Sequence, residues 1–472
     1  MQRKKILMLI LALMLASSAL SYTTIKKQNN QTKNTITIKM EDFINREAIK
    51  EIDPPLFRPE RTTDKITWTK IEIQQTTRDW TFMVYLDADN NLESAGLEDF
   101  MEMSSVGSTD DVAIIVLLDR TNYYSSSYGD WKNTKLFYIT QGMEPYPDNA
   151  VEDWGEINMG DPQNLVDFVT WGVQHYPAQH YAVILWDHGG GLSGVCWDDD
   201  NGDDNLKLVE IRDAFEAIYN SIGRKIDIVG FDACLMGMME VAYQLRDYVD
   251  YVVFSQETEA GDGWPYDDIL NPLVSNPTMT PADFATLIAQ KYIQSYNGGS
   301  QGTDREATQS AIDIKKLTET SIPYLNRLIG ELIRNYNTYK DAINSAASNA
   351  EDFYYSNQKD LIHFLQLLKN QLSGTITTLI DQAIDAINQA ILYGGHLSSH
   401  PNANGLSINI PSYYSSSYDD ILMSNHHQWD EFLKKKTGEN VGIWLYDIIS
   451  VSYTHLRAHE TEADLVCRLL LE

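Results

Sequence analysis

Two residues of the chain have the side chains that acyl-transfer chemistry needs, and each follows an apolar run. His188 follows YAVILWD (181–187), and Cys234 follows KIDIVGFDA (225–233). A cysteine thiolate can attack a carbonyl carbon, while a nearby histidine accepts the thiol proton and later returns it. The glycines at 189–191 leave room for a substrate carbonyl and offer backbone N–H groups to an oxyanion. The pattern therefore predicts a His188–Cys234 dyad beside an oxyanion-binding loop.

The elements that must position these two residues are short buried strands. Runs rich in β-branched and aromatic residues, bounded by turn residues, occur at 80–91, 112–120, 181–187, 225–232 and 251–257. Helical patterns separate several of them, at 92–103, 164–176, 208–221 and 235–248. Apolar strands that alternate with helices predict an α/β fold with a mostly parallel sheet covered by helices on both faces. Sites in such sheets form at the carboxyl ends of the strands, where His188 and Cys234 would meet.

The predicted helix at 235–248 suggests how the cysteine could be activated. A thiol at a helix N-terminus has a lowered pKa, because the helix dipole favours the thiolate. Each residue also has a plainer interpretation, since a lone cysteine is usually an inert core residue and a lone histidine is usually structural. The string HGGG (188–191) also resembles the oxyanion loop of some esterases. We rank that serine-esterase alternative last.

Five motifs in the chain resemble those of one enzyme family. They are MVYLDADNNLE (83–93), YAVILWDHGGG (181–191), DIVGFDACLMGMMEVAYQL (227–245), SQETEAGDGWPY (255–266) and ANGLSINIP (403–411). In this order they resemble the clostripain family of cysteine peptidases, over about residues 78–450. The resemblance implies a caspase-like α/β sandwich and cleavage of peptide bonds by a dyad of His188 and Cys234. It also implies an oxyanion hole formed by the backbone N–H groups of Gly189 and Cys234.

The resemblance further implies cleavage after Arg or Lys. A basic side chain needs a carboxylate in its pocket, and Asp232 matches a family position linked to substrate binding. Asp262 is a second candidate, and Trp264 could pack on the stem of the substrate side chain. Turn or capping roles are the alternatives for the two aspartates. Two alternatives remain for the whole protein: a member of the same family with non-basic specificity, and a non-catalytic binding module on a peptidase-like scaffold.

The two ends of the chain have compositions of their own. Residues 1–21 join a basic start to the apolar run 6–16, as an export signal does, so we expect a secreted or cell-surface protein with no membrane span after processing. Residues 22–77 are predicted to be a pro-segment or linker. The catalytic core is predicted at 78–279, and a helix-rich continuation with late core strands at 280–450. Residues 451–472 resemble a translated sequencing adapter, so we exclude them from the fold.

Charge indicates the kind of partner. The 472 residues carry 67 acidic and 36 basic side chains, for a formal net charge of −31. Such a chain is not expected to bind nucleic acid, and the expected partner is a protein or peptide substrate.

The dyad chemistry requires no cofactor, and we assign no metal ligand. DADNNLESAGLE (87–98) has acidic residues at offsets like those of an EF-hand, but Leu92 replaces the necessary glycine. That run is predicted to end a strand and cap a helix. DDDNGDDN (198–205) is predicted to be a solvated loop, and a role for Ca²⁺ stays open.

Overall fold

The structure is a computed structural model that describes residues 23–26, 35–38, 66–73, 78–121 and 123–439. The predicted export signal, most of the predicted pro-segment and the adapter-like tail lie outside the described residues. The chain divides into two units, Met1–Asp64 and Lys65–Glu472. In the first unit two strands pair antiparallel. The central sheet and the candidate site belong to the second unit.

The bounds of the regular elements are as follows. The strands are β1 (Thr23–Lys26), β2 (Thr35–Ile38), β3 (Arg78–Ala88), β4 (Val112–Arg120), β5 (Thr134–Tyr138), β6 (Glu152–Gly155), β7 (Ala178–Trp186), β8 (Val195–Asp198), β9 (Asp204–Leu206), β10 (Ile226–Asp232), β11 (Val249–Phe254), β12 (Asn297–Gly299), β13 (Gly302–Thr303), β14 (Thr308–Asp313), β15 (Gln358–Asp360), β16 (Ile391–His396) and β17 (Ser407–Asn409). The α-helices are α1 (Glu93–Val106), α2 (Pro162–His175), α3 (Leu208–Ile222), α4 (Met239–Gln244), α5 (Tyr266–Ser275), α6 (Pro281–Ser295), α7 (Ile314–Lys316), α8 (Ile322–Arg334), α9 (Tyr336–Asn349), α10 (Leu361–Gln371), α11 (Thr375–Ala390), α12 (Leu422–His426) and α13 (Trp429–Thr437).

Nine strands form one central sheet in the order β16-β14-β11-β10-β7-β3-β4-β5-β6. The five central strands β11, β10, β7, β3 and β4 run parallel to one another. The strands added at both edges of the sheet pair antiparallel. The predicted mostly parallel α/β sheet is therefore confirmed. Among the described residues, no helix is long and apolar enough to cross a membrane.

Helices cover both faces of the sheet because the central strands are apolar on both faces. Met83 and Tyr85 of β3 contribute to one core, which α2 and α3 complete. Val84 and Leu86 contribute to the opposite core, which α1, α5 and α6 complete. This alternation follows from the two-residue period of a strand, and it explains why these strands read as continuous apolar runs.

The strand order reverses between β3 and β7. The chain goes from β3 to β4 on one side, whereas β7 is followed by β10 and β11 on the other. In open α/β sheets ligands bind at such a switch point, outside the carboxyl ends of the strands. The ends of β3 and β7 lead here into residues 89–91 and 187–191, and β10 leads into Cys234.

The late part of the chain adds strands and helices to this sheet. Late core strands were predicted within 280–450, and β14 lies there beside β11. ANGLSINIP contains β17, but this strand pairs with β15 in a separate two-stranded sheet. The predicted helix at 235–248 is wrong in extent, since α4 covers only Met239–Gln244.

Candidate active site

Backbone register places His188 and Cys234 at the same end of neighbouring strands. β7 and β10 pair in parallel, with Trp186 opposite Asp232. His188 and Cys234 each lie two positions beyond this pair. Beyond the paired residues, the N–H of Asp187 still donates to the carbonyl of Asp232 at 3.2 Å. The structure thus brings the two predicted dyad residues to one edge of the sheet.

Gly189 lies directly against the backbone of Cys234. A Cβ atom at position 189 would lie 2.1 Å from the Cys234 carbonyl oxygen and 2.9 Å from its nitrogen. No other residue fits here without displacing the backbone. The loop that carries Gly189 is fixed by a bridge to Val195 and by a 3.3 Å hydrogen bond from the Cys196 N–H to the His188 carbonyl. The glycine predicted to serve the oxyanion therefore contacts the cysteine that would generate it.

The thiol of Cys234 is half-buried and accepts a hydrogen bond from the Glu259 N–H at 3.2 Å. Burial raises the pKa of this thiol, and the bond from Glu259 offsets only part of that effect. The predicted activation by a helix dipole is not what the structure shows. After Cys234 the chain turns through Leu235 in a left-handed conformation, with φ of 67°, and α4 begins only at Met239. The thiol therefore needs a base to remove its proton.

His188, at the end of the neighbouring strand, has one ring nitrogen engaged by a polar partner. Its Nε2 lies 2.8 Å from Oδ1 of Asn91, and because the amide oxygen only accepts, Nε2 carries the proton and donates. Nδ1 is then the nitrogen that can accept a proton. Burial lowers the pKa of His188, which keeps the imidazole neutral near pH 7. Asn91 was noted in the sequence only as part of an EF-hand-like run, and its contact with His188 was not predicted.

The carboxylate of Asp232 is buried beneath this edge of the sheet and is hydrogen-bonded. It accepts from the Tyr266 hydroxyl at 2.8 Å and from the Trp264 N–H at 3.3 Å. Burial raises the pKa of Asp232 to about 6, although hydrogen bonds from Glu259, Tyr266 and Trp264 oppose the shift. Burial also holds the pKa of Glu259 well above its usual range. The neighbouring Asp232 adds to this shift, and Oε1 of Glu259 accepts a hydrogen bond from Gln309 at 2.9 Å.

Asp262 and Gly263 form the surface above Asp232. Asp262 is exposed, and its carbonyl accepts from Gln301 Nε2 at 2.6 Å. A Cβ at Gly263 would lie 3.0 Å from a carboxylate oxygen of Asp99 and 3.4 Å from those of Asp232. Asp232 and Asp99 therefore lie together beneath Gly263, whereas Asp262 precedes this glycine at the surface. Sequence reasoning missed Asp99 and Glu259, because nothing in their local pattern shows that they meet Asp232.

Trp264 lies elsewhere than predicted. Its side chain is 0% exposed and belongs to the core beneath the sheet. A Cβ at Gly230 would lie 2.7 Å from its ring, so this glycine makes room for the indole. The expected packing of Trp264 on a substrate side chain is therefore corrected: the indole supports the pocket from below, and its backbone N–H bonds Asp232.

The second cysteine of the core and the serine-esterase alternative can be judged from where the structure places them. Cys196 is fully buried, and both it and Cys234 are free thiols. The pattern G-x-S-x-G, which an esterase nucleophile would require, does occur at 298–302. There it spans the turn between β12 and β13, and Ser300 donates to Asp268 at 2.8 Å. A nucleophile elbow joins a strand to a helix, so this serine is not placed as one.

The acidic run at 198–205 differs partly from the predicted solvated loop. It forms the turn between β8 and β9, but Asp198 is fully buried rather than solvated. The run at 87–98 ends β3 and leads into α1, as predicted, with Asn90 Oδ1 accepting from the Leu92 N–H at 2.9 Å. Two overlapping groups of carboxylates near these segments have a spacing that could hold a metal ion: Asp89, Glu156 and Asp200, and Asp119, Glu156 and Asp198.

Comparisons with known proteins agree with this geometry. Residues 84–446 match a family model described as the clostripain family of peptidases. Clostripain from Hathewaya histolytica is 33% identical over 238 residues, which is 44% of this chain and 44% of that protein. The chain therefore spans less than half the length of this curated relative.

Two solved structures share the fold. A secreted C11 cysteine protease from Bacteroides thetaiotaomicron, solved with an irreversible peptide inhibitor, aligns with a TM-score of 0.56 at 20% identity, over 76% of this chain and 99% of that one. An inactive zymogen C11 protease from Parabacteroides distasonis aligns with a TM-score of 0.53 at 19% identity, over 75% and 100% of the two chains.

A helix-covered, mostly parallel sheet with this likeness places the protein in the class of α/β proteins that share the fold of these two structures. Within that class, the extent of the family match shows that the chain belongs to the clostripain family.

Proposed function

We propose that the chain is an exported cysteine endopeptidase that cleaves peptide bonds after Arg or Lys, with His188 and Cys234 as its catalytic dyad. The observation that carries the proposal is the matched register of β7 and β10, which sets both residues two positions beyond the Trp186–Asp232 pair. A histidine and a cysteine that meet by chance would not also place a glycine backbone against the cysteine.

The reaction follows from the groups at this edge. His188 accepts the thiol proton of Cys234, and the thiolate attacks the carbonyl carbon of the scissile bond. The N–H groups of Gly189 and Cys234 stabilise the oxyanion of the tetrahedral intermediate. His188 then donates its proton to the leaving amine, which leaves a thioester on Cys234. Water, deprotonated by His188, hydrolyses the thioester and restores the thiol.

Preference for a basic residue before the scissile bond is supported by the charge beneath Gly263. Asp232 is ionised above about pH 6, and its hydrogen-bond donors are a hydroxyl and a backbone N–H rather than a cation. Asp262 adds a second carboxylate at the surface. A guanidinium or ammonium group from the substrate would supply the positive charge that this group of carboxyls lacks.

Export is supported by the composition of residues 1–21, whose basic start and apolar run are typical of a signal peptide. The related protease from B. thetaiotaomicron is secreted. N-terminal sequencing of protein recovered from culture medium tests this part, and an intact residue 1 on cell-associated protein would contradict it.

A panel of fluorogenic peptides that differ only in the residue before the scissile bond tests the rest. We expect turnover after Arg and Lys, loss of turnover in Cys234→Ala, and retained turnover in Cys196→Ala, the matched control at the other thiol. Turnover after other residues would keep the dyad and reject the basic pocket. A wild type that cleaves no peptide, even after limited trypsin treatment, would favour the binding-module alternative.

A further inference from the structure

A hairpin formed by residues 351–360 lies beside the two loops that carry the predicted dyad. Its two sides run antiparallel, since the Asp360 N–H donates to the Glu351 carbonyl at 2.9 Å and Asp352 forms a β-bridge with Lys359. The second side is β15, which pairs with β17 on its other edge. We call this segment the 351–360 hairpin.

One face of the 351–360 hairpin packs on both loops. Phe353 forms a small buried cluster with Leu235, and Cys234 packs against this cluster. Gln358 lies on the other side of the hairpin, and its Nε2 occupies the space that a Cβ at Gly191 would need. The hairpin therefore follows the edge of the sheet at which the predicted dyad lies.

The base of the hairpin is fixed by polar contacts with three other segments. Oε1 of Glu351 lies 3.2 Å from Nδ1 of His400. Oδ2 of Asp360 accepts from Gln256 Nε2 at 3.1 Å and from the Asn404 N–H at 2.6 Å. Side chains carried by a segment that is already ordered lose less conformational freedom when a ligand binds them.

The turn of the hairpin exposes two aromatic side chains next to the buried Phe353. Tyr354 is 69% exposed and Tyr355 is 43% exposed. Their rings lie 5.1 Å apart in an edge-to-face arrangement. The turn itself is closed by a 2.8 Å hydrogen bond from the Gln358 N–H to the Tyr355 carbonyl. Exposed aromatic rings on an ordered turn offer apolar contact area to a ligand.

The direction of the hairpin indicates which part of a substrate its turn meets. At the base, Asp360 meets Gln256, which follows β11, whereas Gln358 meets Gly191, which follows β7. The hairpin thus extends from the β11 side of the edge towards the β7 side, and the turn continues it on the side of His188. In the proposed mechanism His188 protonates the leaving amine, so the substrate residues after the scissile bond lie on this side.

The two faces of the sheet lead to the same part of the substrate. Tyr266, which bonds Asp232, belongs to the core covered by α1, α5 and α6. Met238, whose sulfur accepts from Gln358 Nε2 at 3.1 Å, belongs to the opposite core. Successive side chains of an extended peptide point in opposite directions. A basic side chain directed at Asp232 therefore turns the side chain of the next residue towards the hairpin.

We propose that Tyr354 and Tyr355 bind the side chain of the first substrate residue after the scissile bond and favour an apolar or aromatic residue there. The proposal rests on the proposed function, because it takes the scissile bond to lie at His188 and Cys234. It adds a second determinant of specificity, on the opposite side of the scissile bond from the basic pocket.

Internally quenched peptides with Arg before the scissile bond and Phe, Leu or Gly after it test this assignment. We expect kcat/KM for the Phe and Leu peptides to exceed that for the Gly peptide by about tenfold. In the double variant Tyr354→Ala/Tyr355→Ala this ratio should fall to about twofold or less. Tyr324→Ala, which removes an exposed tyrosine of α8, is the matched control and should keep the wild-type ratio.

Equal turnover of the Phe and Gly peptides by the wild type, or a preference that the double variant keeps, overturns the assignment. A wild type that cleaves none of the peptides rejects the proposed function instead. Binding of the labelled peptides to Cys234→Ala protein, followed by fluorescence anisotropy, then decides about the tyrosines. Tighter binding of the Phe peptide that the double variant loses supports them as its binding site, and equal affinities for the Phe and Gly peptides overturn it.

Discussion

The two groups of carboxylates that flank His188 and Cys234 solve the same electrostatic problem in different ways. Around Asp232, the carboxylate accepts hydrogen bonds from the Tyr266 hydroxyl and the Trp264 N–H, so its charge is stabilised within the fold. Around Asp119, Oδ2 of this residue and both carboxylate oxygens of Asp89 are buried without a donor among the described residues. The first group therefore has hydrogen-bond donors for its central carboxylate, whereas the second leaves buried oxygens without them.

This difference teaches that burial alone does not show how a group of acids is stabilised. Both groups lie at the carboxyl edge of one sheet, and both contain fully buried acids. The supply of hydrogen-bond donors separates them. A carboxylate that is to recognise a mobile cationic side chain benefits from being fixed beforehand.

The largest expected effect comes from the group of carboxyls around Asp232. Asp232→Asn removes the buried charge, so kcat/KM for a peptide with Arg before the scissile bond should fall by about 100-fold or more. Activity on a peptide with a neutral residue there should change much less. Asp262→Asn, which removes the exposed carboxylate, should lower kcat/KM for the Arg peptide only a few-fold. This loss should become smaller at high salt concentration. Equal losses on both peptides would mean that Asp232 is structural.

The pH dependence of KM is the next largest effect. Because the pKa of Asp232 is raised to about 6, this carboxylate becomes protonated at a higher pH than an ordinary aspartate. The KM for Arg peptides should therefore rise by up to about tenfold per unit as the pH falls below 6. An ordinary aspartate would show this rise only near pH 4. Asp232→Asn should lack the transition, and a wild-type KM that stays flat from pH 7 to 5 would contradict it.

Tyr266→Phe tests whether hydrogen-bond donors stabilise the carboxylate of Asp232. The change removes one hydroxyl that bonds Asp232 at 2.8 Å and leaves the ring packing in place. The free energy of unfolding should fall by about 1.5–3 kcal/mol, as for a hydrogen bond to a charged group. Urea denaturation measures it, with Tyr324→Phe at an exposed position as the control. Equal stability in the two variants would show that the Tyr266 hydroxyl does not stabilise the charge of Asp232.

In the group around Asp119, removing a charge should raise the free energy of unfolding instead of lowering it. Asp119→Asn keeps the acceptor that bonds the Arg120 N–H at 2.9 Å and removes a charge whose other oxygen has no partner. We expect the free energy of unfolding, measured by urea denaturation, to rise by about 1 kcal/mol. A loss of stability would show that Asp119 is already paired, and the comparison would fail.

The sequence predicted what depends on local pattern. Apolar runs located the central strands, and the residue types at their ends located His188 and Cys234. The strand-end rule for α/β sheets then predicted their common edge, which the pairing of β7 with β10 confirms. The dyad roles and the basic pocket stay predictions.

The remainder of the site depends on contacts between distant segments. Asn91 meets His188, and Glu259 meets both Asp232 and Cys234, only because the sheet brings separate loops together. The extent of helix 235–248 was wrong because helical periodicity does not reveal the left-handed turn at Leu235. Trp264 was misplaced because its neighbours in the sequence are polar, whereas the space that receives its ring comes from Gly230 on another strand.

The register of β7 and β10 has a consequence for how this protein can change. A residue inserted within a strand turns every following side chain to the opposite face, so a single insertion in β10 would direct Cys234 away from His188. The segments between the two strands, such as the turn from β8 to β9, are under no such restriction. Length variation should therefore be tolerated at the surface between the two residues and rejected within the strands that end in them.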